Sequence, residues 1–147
     1  MVFLLGDWHK QYLDSLEKDF NNNPRLKEKY EIKNSNKRRL YLPNWKGIKR
    51  KEILSNPDML LIGKKDNNLE YIIELEYNIN YKKLVGIALL TDMAVGKMKI
   101  IKTPKLILIT IREFPNSEFI EKEIRGQIKN IEFRLFTTDT FNSSMIV

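Results

Sequence analysis

Two apolar segments separated by a polar turn constrain the fold of this chain more than any other feature. They run over 57–63 and 69–77, and the intervening residues, Lys64-Lys65-Asp66-Asn67-Asn68, favour a turn. This pattern predicts a β-hairpin. In an antiparallel hairpin with this turn, the numbers of opposed residues sum to about 132–134. Residue 58 is therefore expected opposite residues 74 to 76.

The predicted register brings three acids together. Side chains alternate along a strand, so Glu74 and Glu76 project to one side while Leu75 projects to the other. With Asp58 opposite them, three carboxylates converge at one end of the hairpin. Like charges this close repel each other unless a cation or a shared proton compensates them. A hard divalent cation prefers oxygen ligands, so these residues predict a divalent-metal site.

Length and composition predict one globular domain over residues 1–147 and exclude several classes of protein. The chain has no cysteine, which excludes disulfide scaffolds and thiolate metal sites and favours a cytoplasmic location. His9 is the single histidine, so zinc sites that need several histidines are excluded. Neither a GxxxxGK(S/T) phosphate loop nor a GxGxxG motif is present.

Neither a signal peptide nor a membrane partner is expected. The apolar stretch at residues 2–5 is too short for a signal peptide. The longest nearly apolar run, 84–90, is far shorter than the ~20 residues that a membrane span needs.

The excess positive charge is concentrated in a basic segment, residues 25–52. The whole chain has a net charge of +7, and this segment alone contains eleven Lys or Arg residues against three Glu. Tyr30, Tyr41 and Trp45 are interleaved with these charges, a pattern typical of nucleic-acid binding. The alternative is a solvated basic face. The residues predicted to contact nucleic acid are Lys37, Arg38, Arg39, Lys49, Arg50 and Lys51.

The remaining patterns predict an α/β fold. Helices are predicted over 7–20, 81–98 and 117–129, strands near 28–33 and over 57–63, 69–77, 106–111 and 131–136, a short element near 39–42, and a polar tail. Helix 81–98 is apolar on nearly all sides and is expected to be largely buried. The continuous run 106–111 suits a central strand. This order predicts a mixed sheet flanked by helices, with its last strands parallel to the strand that carries Glu74.

Pro57-Asp58, followed by Glu74-Leu75-Glu76, resembles the PD-(D/E)xK nuclease superfamily. This superfamily has the restriction-endonuclease-like fold and also includes Holliday-junction resolvases and repair nucleases. The resemblance implies a three-layer sandwich and hydrolysis of DNA phosphodiester bonds with Mg²⁺ or Mn²⁺. It implies Asp58 and Glu74 as metal ligands, with the Leu75 carbonyl as a third ligand. It also implies a homodimer that cuts both strands.

The sequence departs from this family at Glu76, where lysine is usual. A minority of restriction endonucleases that resemble this pattern also have an acidic residue there. A glutamate at this position would act as a general base or hold a second metal ion. Lys82 or Lys83 is then a candidate for the missing positive charge. Three further residues are singled out. Glu17 is either an acid near the metal or a surface residue, and His9 is a surface or capping residue. Asp92 is interpreted as a satisfied polar contact at a helix interface and not as a catalytic residue.

Three functions stay open from the sequence. The first is a metal-dependent DNA endonuclease of restriction or accessory type. The second is a Holliday-junction or flap-specific nuclease with the same chemistry. The third is a catalytically inert nucleic-acid-binding domain that retains the fold.

Overall fold

The computed structural model describes residues 5–44, 53–77, 80–113 and 115–146 and has an α/β fold. Its elements are α1 (Leu5–Asn21), α2 (Pro24–Lys29), β1 (Tyr30–Asn34), β2 (Met59–Gly63), β3 (Leu69–Glu76), α3 (Tyr81–Gly96), β4 (Lys105–Thr110), α4 (Ser117–Gln127) and β5 (Glu132–Thr137). The strands form one sheet in the order β1-β2-β3-β4-β5. The first three strands are antiparallel, whereas β4 and β5 run parallel to β3. The predicted mixed sheet is confirmed.

The hairpin β2–β3 has the predicted register at the end that carries the acids, and the register shifts between Leu61 and Ile62, nearer the turn. Met59 is paired with Ile73 and Leu60 with Ile72, so the numbers of each pair sum to 132. The backbone N–H of Asp58 donates to the Ile73 carbonyl at 3.0 Å, which places residue 58 at the end of the ladder beside residue 74. The turn is closed by Asn67, which has a positive φ of 58°. An asparagine tolerates this left-handed conformation better than most residues.

Helices cover both faces of the sheet. One face carries β-strand side chains such as Ile73 and Ile107, which pack against α1 and α2. The other face carries neighbours such as Ile72 and Leu106, which pack against α3 and α4. Residues 106–110 of β4 are all buried, as expected of a central strand. The layers therefore follow an α/β/α order, because alternate side chains of each strand enter opposite cores.

The prediction that the helix at 81–98 is largely buried is wrong for its outer side. Leu84 and Ala88 of α3 are fully buried, but Leu89, Leu90 and Met93 are 40%, 45% and 52% exposed. A helix in the outer layer of a sandwich contacts the sheet along one side only. The apolar outer side of α3 is therefore left exposed in this single chain.

The structure differs from the sequence prediction in two further places, directly after α1 and in the C-terminal tail that packs on α1. A short helix, α2, precedes β1 and delays its start to Tyr30, because Asn23 caps the helix and Pro24 occupies its first turn. The predicted polar tail is wrong as well, since Phe141 and Ile146 are each only 5% exposed. The tail is anchored to α1 by a hydrogen bond of 2.7 Å from the Ser143 backbone N–H to Asp19.

The predicted element near 39–42 is reduced to a single antiparallel bridge between Leu42 and Ser55. This bridge places Ser55 beside the end of the hairpin, where it contacts Glu74. Within the described ranges, no helix combines the length and the apolar character that crossing a membrane requires.

Candidate active site

The three predicted acids lie together at one end of the sheet. Asp58 directly precedes β2, and Glu74 and Glu76 lie at the carboxyl end of β3. Because β3, β4 and β5 are parallel, their carboxyl ends share this edge. In open α/β sheets, ligands bind at the carboxyl ends of the strands. The predicted acid cluster, Asp58, Glu74 and Glu76, is therefore at the edge where such sites form.

Glu74 is the buried member of the acid cluster. It is 8% exposed, and its strand neighbour is Leu108 of β4. Among the described residues, its carboxylate has one hydrogen bond, a long one of 3.4 Å from the Ser55 hydroxyl to Oε1. Burial raises the pKa of Glu74 well above its usual range, and the charges of Asp58 and Glu76 raise it further. A buried carboxylate with so little compensation is unfavourable unless it is protonated or a cation binds beside it.

Asp58 is held by contacts on both of its carboxylate oxygens. Oδ2 accepts a hydrogen bond of 2.7 Å from the Leu75 backbone N–H, and Oδ1 lies 3.1 Å from Nε2 of His9 on α1. The hydrogen bond with Asp58 raises the pKa of His9, and contact with the Leu75 backbone adds to this rise, whereas partial burial opposes it. The imidazole thus lies against Asp58 and the backbone of Leu75. These are two of the groups that the family resemblance assigns to a metal.

His9 is the site residue that sequence reasoning missed. The sequence predicts a surface or capping residue, but the side chain reaches the acid cluster from α1. The helical spacing could have predicted this position. His9 lies on the same helical face as Leu13, Leu16 and Phe20, which are the buried residues of α1. A polar residue that continues an apolar stripe points toward the sheet.

Glu76 is paired with a lysine from the next helix. Nζ of Lys83 lies 2.8 Å from Oε2 of Glu76. The position of Lys83 is fixed by the start of α3, where the side chain of Asn80 accepts a hydrogen bond of 2.8 Å from the Lys83 backbone N–H. Of the two candidate lysines, the structure therefore places Lys83 at the acid cluster.

A basic turn after β1 borders Asp58. The turn comprises residues 35–39, and its Ser35 backbone N–H donates to the Asp58 carbonyl at 2.9 Å. Glu17 of α1 holds the turn, because its two carboxylate oxygens accept from Asn34 and Lys37, each at 3.1 Å. Glu17 thus positions the turn, and its oxygens face these partners. The exposed members of the predicted nucleic-acid contacts in this turn are Lys37, Arg38 and Arg39.

The rest of the basic segment is only partly described. Lys49, Arg50, Lys51 and Trp45 lie outside the described residues. Tyr30 is 3% exposed and packs edge-on against Tyr71, with ring centroids 5.8 Å apart. Of the aromatic residues interleaved with the basic segment, Tyr30 therefore belongs to the core.

The donor chemistry of the acid cluster suits Mg²⁺ or Mn²⁺, although its side chains are turned to other partners. Across the described ranges, no group of three or more histidine or acidic side chains is arranged to hold a metal ion. The contacts explain this, since Asp58 faces His9 and Glu76 faces Lys83. Carboxylate oxygens together with the Leu75 carbonyl are nevertheless the ligands that hard divalent cations prefer. The buried Glu74 adds negative charge that such a cation would compensate.

Comparisons of this chain with protein-family models, with curated proteins and with solved structures find no match.

Proposed function

We propose that this chain is a metal-dependent DNA endonuclease with the restriction-endonuclease-like fold of the PD-(D/E)xK superfamily. The observation that carries the proposal is Glu74, a buried carboxylate close to two further acids, with one long hydrogen bond among the described residues. The folded chain keeps this carboxylate in an unfavourable environment at the sheet edge where ligands bind. Buried acids with strongly raised pKa values cluster at functional sites.

In phosphodiester hydrolysis, each residue of the acid cluster would have a different role. A bound Mg²⁺ or Mn²⁺ would act as a Lewis acid and activate water. Asp58 and Glu74 would hold the ion, and Glu76 would orient or deprotonate the attacking water. Lys83 would supply the positive charge that the family usually places at the position of Glu76, since its ammonium group lies 2.8 Å from that carboxylate. His9 positions Asp58 through the contact between Nε2 and Oδ1.

DNA is the proposed substrate because positive charge borders the acid cluster. The basic turn with Lys37, Arg38 and Arg39 is hydrogen-bonded to Asp58 through its backbone. Lysine and arginine side chains there would bind phosphates on one side of the cleaved bond. A homodimer stays part of the proposal, because a domain of this size needs a second copy to cut two strands. Sedimentation equilibrium of the purified protein tests that part directly.

A catalytically inert nucleic-acid-binding domain is the second candidate. The observation that favours it is that Asp58 and Glu76 are already paired with cationic or imidazole side chains of the chain itself. In an inert domain these pairs would be permanent. The basic turn would then bind DNA without cleavage.

A cleavage assay with a matched control separates the two candidates. Supercoiled plasmid, branched DNA and single strands are incubated with Mg²⁺ or Mn²⁺ and with wild type, Asp58→Ala or Glu132→Ala. Glu132 is an exposed acid at the opposite end of the sheet, so its substitution controls for a general loss of negative charge. We expect cleavage by wild type and Glu132→Ala, and none by Asp58→Ala, whose DNA binding stays close to that of wild type.

Two results would contradict the nuclease. Cleavage by Asp58→Ala at the wild-type rate would show that the acid cluster is not the active site. DNA binding without cleavage of any substrate by wild type would support the inert domain. In a separate arm, Lys37, Arg38 and Arg39 are replaced by Glu, and both DNA affinity and its dependence on salt are expected to fall. Unchanged values would show that the basic turn does not contact DNA.

A further inference from the structure

An aromatic cluster lies on the α1 side of the sheet, at the end of β3 that carries the acid cluster. It consists of Trp8 and Tyr12 of α1 and Tyr77, the residue after β3. The rings of Trp8 and Tyr12 are stacked with centroids 5.8 Å apart, and Tyr77 packs edge-on with Trp8 at 5.2 Å. Trp8 directly precedes His9, and Tyr77 directly follows Glu76. The aromatic cluster is thus connected to the acid cluster through the chain at Glu76 and through His9, which contacts Asp58.

Tyr77 is the exposed member of the aromatic cluster. Its residue exposure is 42%, whereas Trp8 and Tyr12 are half-buried and pack against the core. The edge-on contact with Trp8 restrains the Tyr77 ring, so little conformational freedom remains to be lost when a ligand binds it. A restrained and exposed ring of this kind is suited to stacking on another planar group.

The neighbouring charges indicate which planar group would bind. The basic turn borders Asp58 through its backbone. On the α1 side, Tyr77 packs on Trp8, and His9, the next residue after Trp8, contacts Asp58. A nucleotide presents a phosphate to positive charge and a flat base to an aromatic ring. Stacking of bases on aromatic side chains tolerates any sequence, because every base has a π face. Bases within a continuous duplex are already stacked on each other, so only an unpaired base is free to bind such a ring.

We propose that Tyr77, supported by Trp8, stacks on an unpaired base of DNA whose phosphates are bound by the basic turn. This inference rests on the proposed nuclease function and names its substrate class. The preferred substrate is DNA with unpaired nucleotides, such as a flap, a splayed end or a single strand, and continuous duplex binds less well. Among the open functions, the geometry thus favours a structure-specific nuclease over a restriction-type enzyme.

Equilibrium binding without metal tests the inference independently of cleavage. Three fluorescein-labelled DNA probes of equal length, namely a single strand, a splayed-arm flap and a full duplex, are titrated in EDTA and followed by fluorescence anisotropy. Tyr77→Ala is expected to weaken binding of both unpaired probes about tenfold and to leave duplex binding unchanged. Tyr77→Phe retains the ring and is expected to bind like wild type. Phe119→Ala, at a 65% exposed aromatic residue of α4, is the matched control and should change nothing.

A second readout uses tryptophan fluorescence. The chain has two tryptophans, Trp8 and Trp45, so Trp45→Phe leaves Trp8 as the single reporter. Unpaired oligonucleotide is expected to quench this emission, and duplex at the same phosphate concentration is not. Equal weakening of all three probes by Tyr77→Ala, or no weakening, would overturn the inference.

The outcomes also separate this inference from the nuclease proposal. If wild type cleaves DNA, Asp58→Ala does not, and Tyr77→Ala shows no selective effect, the nuclease stands and the stacking role is rejected. If Tyr77→Ala selectively loses unpaired probes while wild type cleaves nothing, the stacking role stands and the nuclease is rejected.

Discussion

Glu74 and Asp92 are both buried acids of this chain, and their surroundings differ completely. Asp92 lies in α3 and is 7% exposed, close to the 8% of Glu74. Its Oδ1 accepts hydrogen bonds from the backbone N–H groups of Lys129 at 3.1 Å and Asn130 at 2.7 Å. The side chain of Asn130 donates to the Asp92 carbonyl at 3.1 Å. Glu74 has one hydroxyl at 3.4 Å and two acidic neighbours.

This difference separates a structural acid from a candidate functional one. Asp92 fixes the segment that leads into β5, and its charge is compensated by donors that the fold supplies. Glu74 has no comparable set of donors within the described residues, so its burial contributes nothing favourable by itself. Asp92 is a satisfied polar contact, as predicted, but its partners lie in the loop between α4 and β5 and not at a helix interface. Two acids that are equally buried can therefore have different roles, one structural and one functional. The number and length of their hydrogen bonds distinguish these roles.

The largest expected effect is on catalysis. Replacing Glu74 by Gln removes the charge while keeping the shape, so we expect the cleavage rate to fall at least ~100-fold. Asp92→Asn, the matched substitution at the structural acid, should stay within about threefold of wild type, since Asp92 does not face the site. Initial rates on a flap substrate, normalised to the folded fraction from circular dichroism, give the comparison. A similar loss in both variants would remove the distinction between the two acids.

The second effect concerns stability. Here the substitution of Asp92 is expected to have the larger effect, and that of Glu74 the smaller. Asp92→Ala leaves two part-buried backbone donors without this partner, so the free energy of unfolding should fall by about 1–3 kcal/mol. Glu74→Gln should change it by less than about 1 kcal/mol or increase it, because an uncompensated buried charge is removed. Urea denaturation in EDTA measures both. A large destabilisation by Glu74→Gln would show that its carboxylate is structural after all.

The positions of the acids along the hairpin could be predicted from the sequence, whereas their partners could not. Strand periodicity and a turn of known length determine which residues are opposed, so these two features suffice to place Asp58 beside Glu74. The partner of Glu76 depends on where α3 begins relative to the sheet. That geometry involves residues 80–83 and is set by packing, so the sequence leaves Lys82 and Lys83 as alternatives.

Two errors in the sequence predictions, those for α3 and for His9, share one physical origin. Apolar content predicts that α3 is buried on nearly all sides, but a helix in an outer layer meets the sheet on one side only. Residue type alone predicts a surface position for the single histidine, His9. Its position along α1, however, places it on the same helical face as the buried residues of that helix. In both cases, the side of the helix that faces the sheet decides the environment, and residue type alone does not determine it.

The third effect is the pH dependence of stability without metal. Since the pKa of Glu74 in the folded chain is raised above its ordinary value of 4.5, the folded state binds this proton more tightly than the unfolded state does. Its contribution to stability is therefore fully present below pH 4.5 and is lost as the pH rises through the raised pKa. The free energy of unfolding of wild type minus that of Glu74→Gln, measured in EDTA, should fall over this range.

The matched arm of this experiment uses the structural acid. Asp92→Asn has Glu74 intact, so the free energy of unfolding of wild type minus that of Asp92→Asn should lack this decrease above pH 4.5. Added Mg²⁺ should reduce the decrease in wild type, because a bound cation favours the ionised carboxylate. A flat difference between wild type and Glu74→Gln across the range would contradict the environment described for Glu74.

The smallest expected effect is the change in stability when one hydrogen-bond partner of each acid is removed. Ser55→Ala removes the hydroxyl near Glu74, and because that contact is 3.4 Å long, the free energy of unfolding should change by less than about 0.5 kcal/mol. Asn130→Ala removes a shorter bond to the Asp92 backbone and should lower it by about 1 kcal/mol. A larger loss for Ser55→Ala than for Asn130→Ala, measured by urea denaturation, would mean that the hydroxyl compensates Glu74 substantially. Glu74 would then be a satisfied structural acid like Asp92, and its burial would no longer indicate an active site.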